Sequence, residues 1–251
     1  MSCCTSFYAR PEVREFMGDC FHPGGEALTR RMLDAMRLSA GTRVLDVACG
    51  TGLTTVALAR DYGVHAVGLD LGQENLQAAR ASAQTTGLDL SFVLGEASEL
   101  PFEDDAFDAV VCECALSTFE DKPKVVSEFA RITRSGGRLG LSDMAVYGEL
   151  PQRLAELAGP WACLQDAQSV EQTQRMLHDA GYQITGYDDE SAALHTLALE
   201  LKRKLVVIGL GRISGLLGTD VDLRELREVI DQARAAVDRG AVQYYRMTAS
   251  L

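Results

Sequence analysis

Thiols dominate the residues able to do chemistry. The chain carries seven cysteines, Cys3, Cys4, Cys20, Cys49, Cys112, Cys114 and Cys163. An odd number of scattered cysteines, after a start (Met1-Ser2-Cys3-Cys4-Thr5) that has no charged n-region and apolar h-region, argues against a disulfide framework. Free thiols in a cytoplasmic protein are the expectation. No CxxC…CxxC or Cys/His spacing reads as a structural zinc site, and His22, His65, His178 and His195 are dispersed, so no metal cofactor is expected. Deprotonated thiols brought together do suit a soft trivalent metalloid such as As(III), usually held by three of them. The competing reading is that each cysteine is a small core hydrophobe, and Cys49 and Cys112 are assigned to that role.

A second set of residues belongs to ligand binding. Val44-Leu45-Asp46-Val47-Ala48 reads as a buried strand that ends in Cys49-Gly50-Thr51-Gly52, and apolar residues then recur at helical spacing from Leu53 to Tyr62. Gly50 and Gly52 sit where a strand turns into a helix, and lacking Cβ they let backbone approach a ligand at the helix N-terminus. Asp70 ends the next strand, where an acid can accept from both hydroxyls of a ribose. A nicotinamide site would want a third glycine three positions after Gly52, and Thr55 stands there.

The elements that must position these residues alternate. Strands are predicted over 43–48, 65–69, 90–94, 109–114 and 138–143, with helices over 53–62, 73–86 and 122–132 and a turn at Ser135-Gly136-Gly137. Strict βαβ alternation implies a parallel sheet with right-handed crossovers. A helix over 169–180, a strand over 182–187, helices over about 191–209 and 223–239, and a closing strand over 241–249 follow. The expected fold is α/β, a Rossmann-like and mostly parallel sheet flanked by helices, with N-terminal helices and a helical insertion between the last two strands. Cys112-Glu113-Cys114 then falls at the carboxyl end of the fourth strand, where open α/β sheets place ligands. Strand alternation turns Glu113 to the face opposite its two neighbours. Cys163 falls in the connection after the fifth strand.

The 251 residues, 47% hydrophobic and 24% charged, describe an ordinary globular chain. A formal charge of −12 opposes nucleic acid and anionic lipid, whose affinity grows from Lys and Arg. No apolar run reaches the roughly 20 residues that span a bilayer. Neither nucleic acid nor membrane is an expected partner, and the oligomeric state is open.

Read in order, Val44 to Gly52, then Asp70, then Gly95-Glu96-Ala97, then Phe107-Asp108-Ala109-Val110 resemble the class I S-adenosylmethionine-dependent methyltransferases over residues 41–145. The resemblance implies S-adenosylmethionine as cofactor, with Asp46 and the Gly50 and Gly52 backbone at its methionine portion. It places Asp70 and Leu71 at the ribose, Glu96 and Ala97 at the adenine, and Glu113 beside the cofactor. Tyr8, Met17 and the Gly24-Gly25 turn would help cover it. On this reading 1–251 is a single domain: 1–40 covers the cofactor, 41–145 is the binding core, and 146–251 faces the acceptor, with the insertion at about 190–240.

Cys114, the helix after it, Gly136-Gly137-Arg138-Leu139, Ser142-Asp143 and Cys163 ahead of Leu177-His178-Asp179-Ala180-Gly181-Tyr182 resemble the arsenite methyltransferase branch. That resemblance implies a metalloid on Cys114 and Cys163, with Cys20 or the Cys3-Cys4 pair completing the set or resolving a disulfide. The surroundings of Cys20 and Cys163 and the 190–240 helices depart from that branch. If the thiols are inert, a small organic acceptor methylated at O, N or C is expected, with His22, Glu113 or His195 as the base. A sensor that binds metalloid or cofactor without turnover is the third reading.

Overall fold

The computed structural model describes residues 22–84, 86–88, 90–157, 163–208 and 223–251. Strand β1 (Arg43–Val47) carries apolar residues at three of its five positions and is buried from its second residue onward, which places it inside the sheet. It pairs in parallel with β2 (His65–Asp70) on one side and β4 (Phe107–Glu113) on the other. With β3 (Ser91–Leu94), β5 (Thr133–Val146), β6 (Gln183–Asp189) and β7 (Val242–Ser250), these form a seven-stranded sheet of order β3-β2-β1-β4-β5-β7-β6. β7 runs antiparallel to both of its neighbours and all other pairings are parallel.

The crossover helices start and stop where local chemistry dictates. After α1 (Gly25–Met36), α2 (Leu53–Tyr62) begins behind Gly52 and closes at left-handed Gly63, whose N–H bonds the Ala59 carbonyl. The next two are α3 (Gln73–Gln84) and α4 (Lys122–Ile132), and the Asp121 side chain caps α4 by accepting from the Lys124 N–H. A short α5 (Gln152–Leu157) precedes α6 (Val170–Asp179), which carries a reciprocal capping box between Ser169 and Gln172. Helix α1 lays Leu28, Met32, Leu33 and Met36 against the sheet. Gly140 permits that approach, because a Cβ there would lie 2.4 Å from the Met36 sulfur.

One predicted break is not a break. Ser135-Gly136-Gly137 does not end an element; β5 runs through it as a single strand of 14 residues. The register with β4 slips between Phe107 and Ala109, and the chain end bonds across the glycines, Gly136 N–H to Leu251 O at 2.9 Å and Leu251 N–H to Gly137 O at 3.1 Å. The glycines therefore make an irregularity inside a paired strand rather than a turn.

Between β6 and β7 the chain forms α7 (Ala192–Ile208) and α8 (Leu223–Asp238). They pack on each other and are tied by Lys202 to Asp231 and by His195 to Asp238 at 3.4 Å. Helix α8 also touches α5 and β7. A core beside it gathers Leu28, Met144, Leu154, Leu164, Tyr244 and Cys163.

Candidate active site

The turn after β1 is built from left-handed residues at alternate positions, Ala48 at φ 58°, Gly50 at φ 53° and Gly52 at φ 80°. Ala48 is held there against the steric cost of its Cβ. The two glycines serve different ends. A Cβ on Gly52 would lie 3.0 Å from both Ala79 and the Phe92 ring, so Gly52 answers to packing, whereas a Cβ on Gly50 would meet nothing within 4 Å. The space in front of Gly50 is open for a ligand.

Asp70 joins this turn to the end of β2. Its Oδ2 accepts from the Gly50 N–H at 2.8 Å, and its Oδ1 accepts from the Gly72 N–H at 2.7 Å and from Asn75 Nδ2 at 3.2 Å. Leu71 follows as a large apolar side chain with 47% of its surface exposed. Glu96 is exposed beyond β3 and accepts from Ser98 Oγ at 2.9 Å, while Ala97 is buried beneath it.

Asp46 lies behind the turn. It is 2% exposed and accepts from Thr55 Oγ1 at 2.6 Å, so the residue standing where a third glycine would be instead anchors the carboxylate. Burial pushes the Asp46 pKa up to about 7, with the carboxylates of Glu113 and Asp70 adding to it and the Thr55 hydrogen bond opposing it. Cys49 faces inward against Gly68, where a Cβ would come 2.8 Å from its sulfur. Burial, then the Asp46 and Asp70 charges, raise that thiol far above the ordinary cysteine range.

At the end of β4 the side chains diverge as alternation requires. Glu113 turns toward α1 and α2, its side chain 6% exposed. It accepts from Thr29 Oγ1 at 3.0 Å and from Thr54 Oγ1 at 2.8 Å, and His22 Nε2 lies 3.7 Å from it. Thr29 and Thr54 escaped the sequence reading. Their only signal is a hydroxyl near the start of each of two helices, and nothing local says that these helices meet over β4. The ring of His22 also contacts Thr29 Oγ1 at 3.2 Å. Gly24 caps α1 at φ 81°, where a Cβ would stand 2.8 Å from that of Leu28.

Cys112 takes the other face, in the core with Val110 and Leu141. Cys114 does not follow it: the residue lies past the end of β4, and its left-handed backbone turns it to the α1 side of the sheet, against Leu28, Met144 and Tyr244. Cys112 is fully buried, and burial lifts its thiol well above the usual range. Cys114 and Cys163 converge, with their sulfurs 4.0 Å apart and the Cys163 thiol also 3.6 Å from the Cys114 carbonyl. Both sit in the left-handed region, at φ 51° and 57°, which non-glycine residues seldom adopt. The hydrogen bond to Cys163 comes first, then burial, in holding the Cys114 thiol protonated far above its ordinary pKa, and the Tyr244 hydroxyl partly offsets this. His195 is not in this group; it pairs with Asp238 on the insertion. Tyr8, Met17, Cys20, Cys3 and Cys4 lie outside the described residues. Among the described residues no group of three His, Cys, Asp or Glu side chains could hold a metal ion, and no helix is long and apolar enough to cross a membrane.

This chain belongs to the methyltransferase domain family, which it matches over residues 38–181, and within it to the class I S-adenosylmethionine-dependent kind. It is 34% identical over 149 residues to the methyltransferase GfsG of Streptomyces halstedii, covering 59% of this chain and 54% of that protein. It is 32% identical over 213 residues to a demethylmenaquinone methyltransferase of Beutenbergia cavernae, covering 76% and 86%. An arsenite methyltransferase of Halobacterium salinarum is 28% identical over 153 residues, covering 58% and 38%. The fold is shared with the [4+2]-cyclase SpnF at a TM-score of 0.79 and 22% identity, over 97% of this chain and 93% of that one. The chain thus spans little more than half the length of GfsG.

Proposed function

We propose that the protein transfers a methyl group from S-adenosylmethionine to a thiophilic acceptor, a trivalent metalloid such as arsenite, held by Cys114 and Cys163. The observation that carries this reading is the 4.0 Å approach of the two sulfurs beyond β4 and β5. The crevice suits the cofactor, with open space at Gly50, a carboxylate at Asp70 and an exposed apolar surface at Leu71, and Glu96 and Ala97 stand at the adenine end. Bound there, S-adenosylmethionine supplies a sulfonium methyl, to which an acceptor lone pair bonds while the S–CH3 electron pair returns to sulfur as S-adenosylhomocysteine.

The chain's own residues do the rest. Asp70 holds the glycine turn in shape by accepting from the Gly50 and Gly72 amides, and the same carboxylate would accept from the ribose. The Cys114 thiol stays protonated until a soft acceptor displaces its proton, because thiolates rather than thiols are the ligands. Arsenic would leave formally as As(V), and an added thiol reductant returns it to As(III) for the next turn.

A second reading has support from the relatives, which include O-methyltransferases and the demethylmenaquinone enzyme: methylation of a small organic molecule. Its base would come from His22 or Glu113, and Glu113 is already engaged by two hydroxyls. Incubation with S-adenosylmethionine, arsenite and a thiol reductant tests the proposal. S-adenosylhomocysteine together with methylated arsenic is the expected result. Turnover confined to organic acceptors overturns it in favour of the second reading, and tight arsenite binding without turnover makes the protein a sensor.

A further inference from the structure

Cys114 stands two residues ahead of a short 3-10 turn, Leu116–Thr118, and the hydrogen bonds of Ser117 within this turn converge on one acid. Asp143 is buried in β5, one residue beyond the Ser142 carbonyl that accepts from the Cys114 N–H at 2.7 Å. Its Oδ2 accepts from the Ser117 N–H at 2.7 Å, and its Oδ1 accepts from the Ser117 hydroxyl and from the Met144 N–H, each also at 2.7 Å. Ser117 thus offers both its backbone and its side chain to the same carboxylate. On the far side of the turn, Lys122 donates to the Phe119 carbonyl at 2.8 Å. A cavity of about 10 Å³, room for one water, separates Lys122 from Asp143.

This arrangement solves a specific problem. Cys114 has a left-handed backbone with no glycine to make it easy, and such strain persists only where the surroundings over-determine it. The Ser142 carbonyl fixes the residue from before the turn and the Asp143 carboxylate fixes it from three residues after. Met144, next to Asp143, packs in the same core as Cys163, so one stretch of β5 governs the position of both thiols. We infer that Asp143 is a positioning residue for the acceptor site, acting through Ser117 to hold the Cys114 sulfur within reach of Cys163.

The inference rests on the reading of Cys114 and Cys163 as acceptor ligands, and its test separates the two. Arsenite affinity is measured by calorimetry on the full chain, together with affinity for S-adenosylmethionine, in Ser117→Ala, Asp143→Asn, the double variant and Cys114→Ser. Loss of arsenite binding in Cys114→Ser upholds the underlying reading, and unchanged binding there overturns that reading and the inference with it. Given that loss, Ser117→Ala and Asp143→Asn are each expected to weaken arsenite binding about tenfold while cofactor affinity stays within about twofold. The double variant should be no weaker than the worse single one, as for two members of one link. Full-strength arsenite binding in Ser117→Ala, the milder change, overturns the positioning role. So do losses that add, or cofactor affinity that falls in parallel with arsenite affinity.

Discussion

The sulfur of Cys114 lies 4.0 Å from that of Cys163, across 49 positions of sequence, and each residue holds a left-handed backbone to put it there. A hydroxyl cannot replace a soft thiolate ligand, so Cys114→Ser and Cys163→Ser are each expected to abolish arsenite-dependent turnover with cofactor affinity nearly intact. Cys49→Ser, altered inside the glycine turn, should instead lower cofactor binding or stability. Normal turnover in both of the first two variants would return the pair to a packing role.

The two glycines of the turn should fail differently. Gly52→Ala meets Ala79 and Phe92 at 3.0 Å in addition to its left-handed backbone, and is expected to cost about 2 kcal/mol or more of stability. Gly50→Ala carries only the backbone penalty, about 1–2 kcal/mol, but its methyl group enters the open crevice. Cofactor affinity should therefore fall out of proportion to stability at Gly50 alone. Thermal melts and calorimetry on the two variants check this, and equal effects at both positions would remove the ligand from in front of Gly50.

Asp70→Ala removes a carboxylate that three donors already share. Weaker cofactor binding by roughly 1–3 kcal/mol is expected, along with a lower melting temperature, since the Gly50 and Gly72 amides lose their acceptor. Unchanged affinity in a folded variant would detach Asp70 from the ribose.

Glu113→Ala leaves the hydroxyls of Thr29 and Thr54 without their acceptor and should cost about 1–3 kcal/mol in denaturant unfolding. If Glu113 is instead the base for an organic acceptor, turnover will drop with little change in the denaturation midpoint.

The buried Asp46 gives a pH signature. Its pKa of about 7 in the folded chain stands above the roughly 4 of an unfolded aspartate, so the native state binds the proton more tightly. That contribution to stability is complete below about pH 4 and disappears as pH rises through about 7. Asp46→Asn cannot titrate, so its melting temperature relative to the parent should climb between pH 5 and pH 8. Parallel pH curves for the two proteins would show that Asp46 is not the group responsible.

Much of this was legible in the chain itself. Helix α2 and helix α4 begin and end where the periodicity places them, because that signal acts over a few residues. The apolar runs of β1 and β4 and their alternation with helices imply a parallel sheet, and alternation turns Glu113 away from Cys112, though not from Cys114, whose left-handed backbone lies beyond the strand. The pattern of Gly50, Gly52 and Asp70 announces a ligand at the carboxyl ends of the strands. These are consequences of backbone geometry and short-range sterics, which a linear sequence carries.

What the sequence could not carry is which distant groups meet. Gly136-Gly137 reads as a turn because two glycines usually make one, yet the chain end pairs across them and extends β5. Asp46 reads as a ligand contact, and only the tertiary structure adds that Thr55 Oγ1 donates to its buried carboxylate. Thr29 and Thr54 closing on Glu113, Asp143 gripping Ser117, and two thiols 4.0 Å apart exist only once the sheet order and the packing of α1 bring separate segments together. Local propensities set the elements, and burial of their apolar faces against one another decided which side chains share the site.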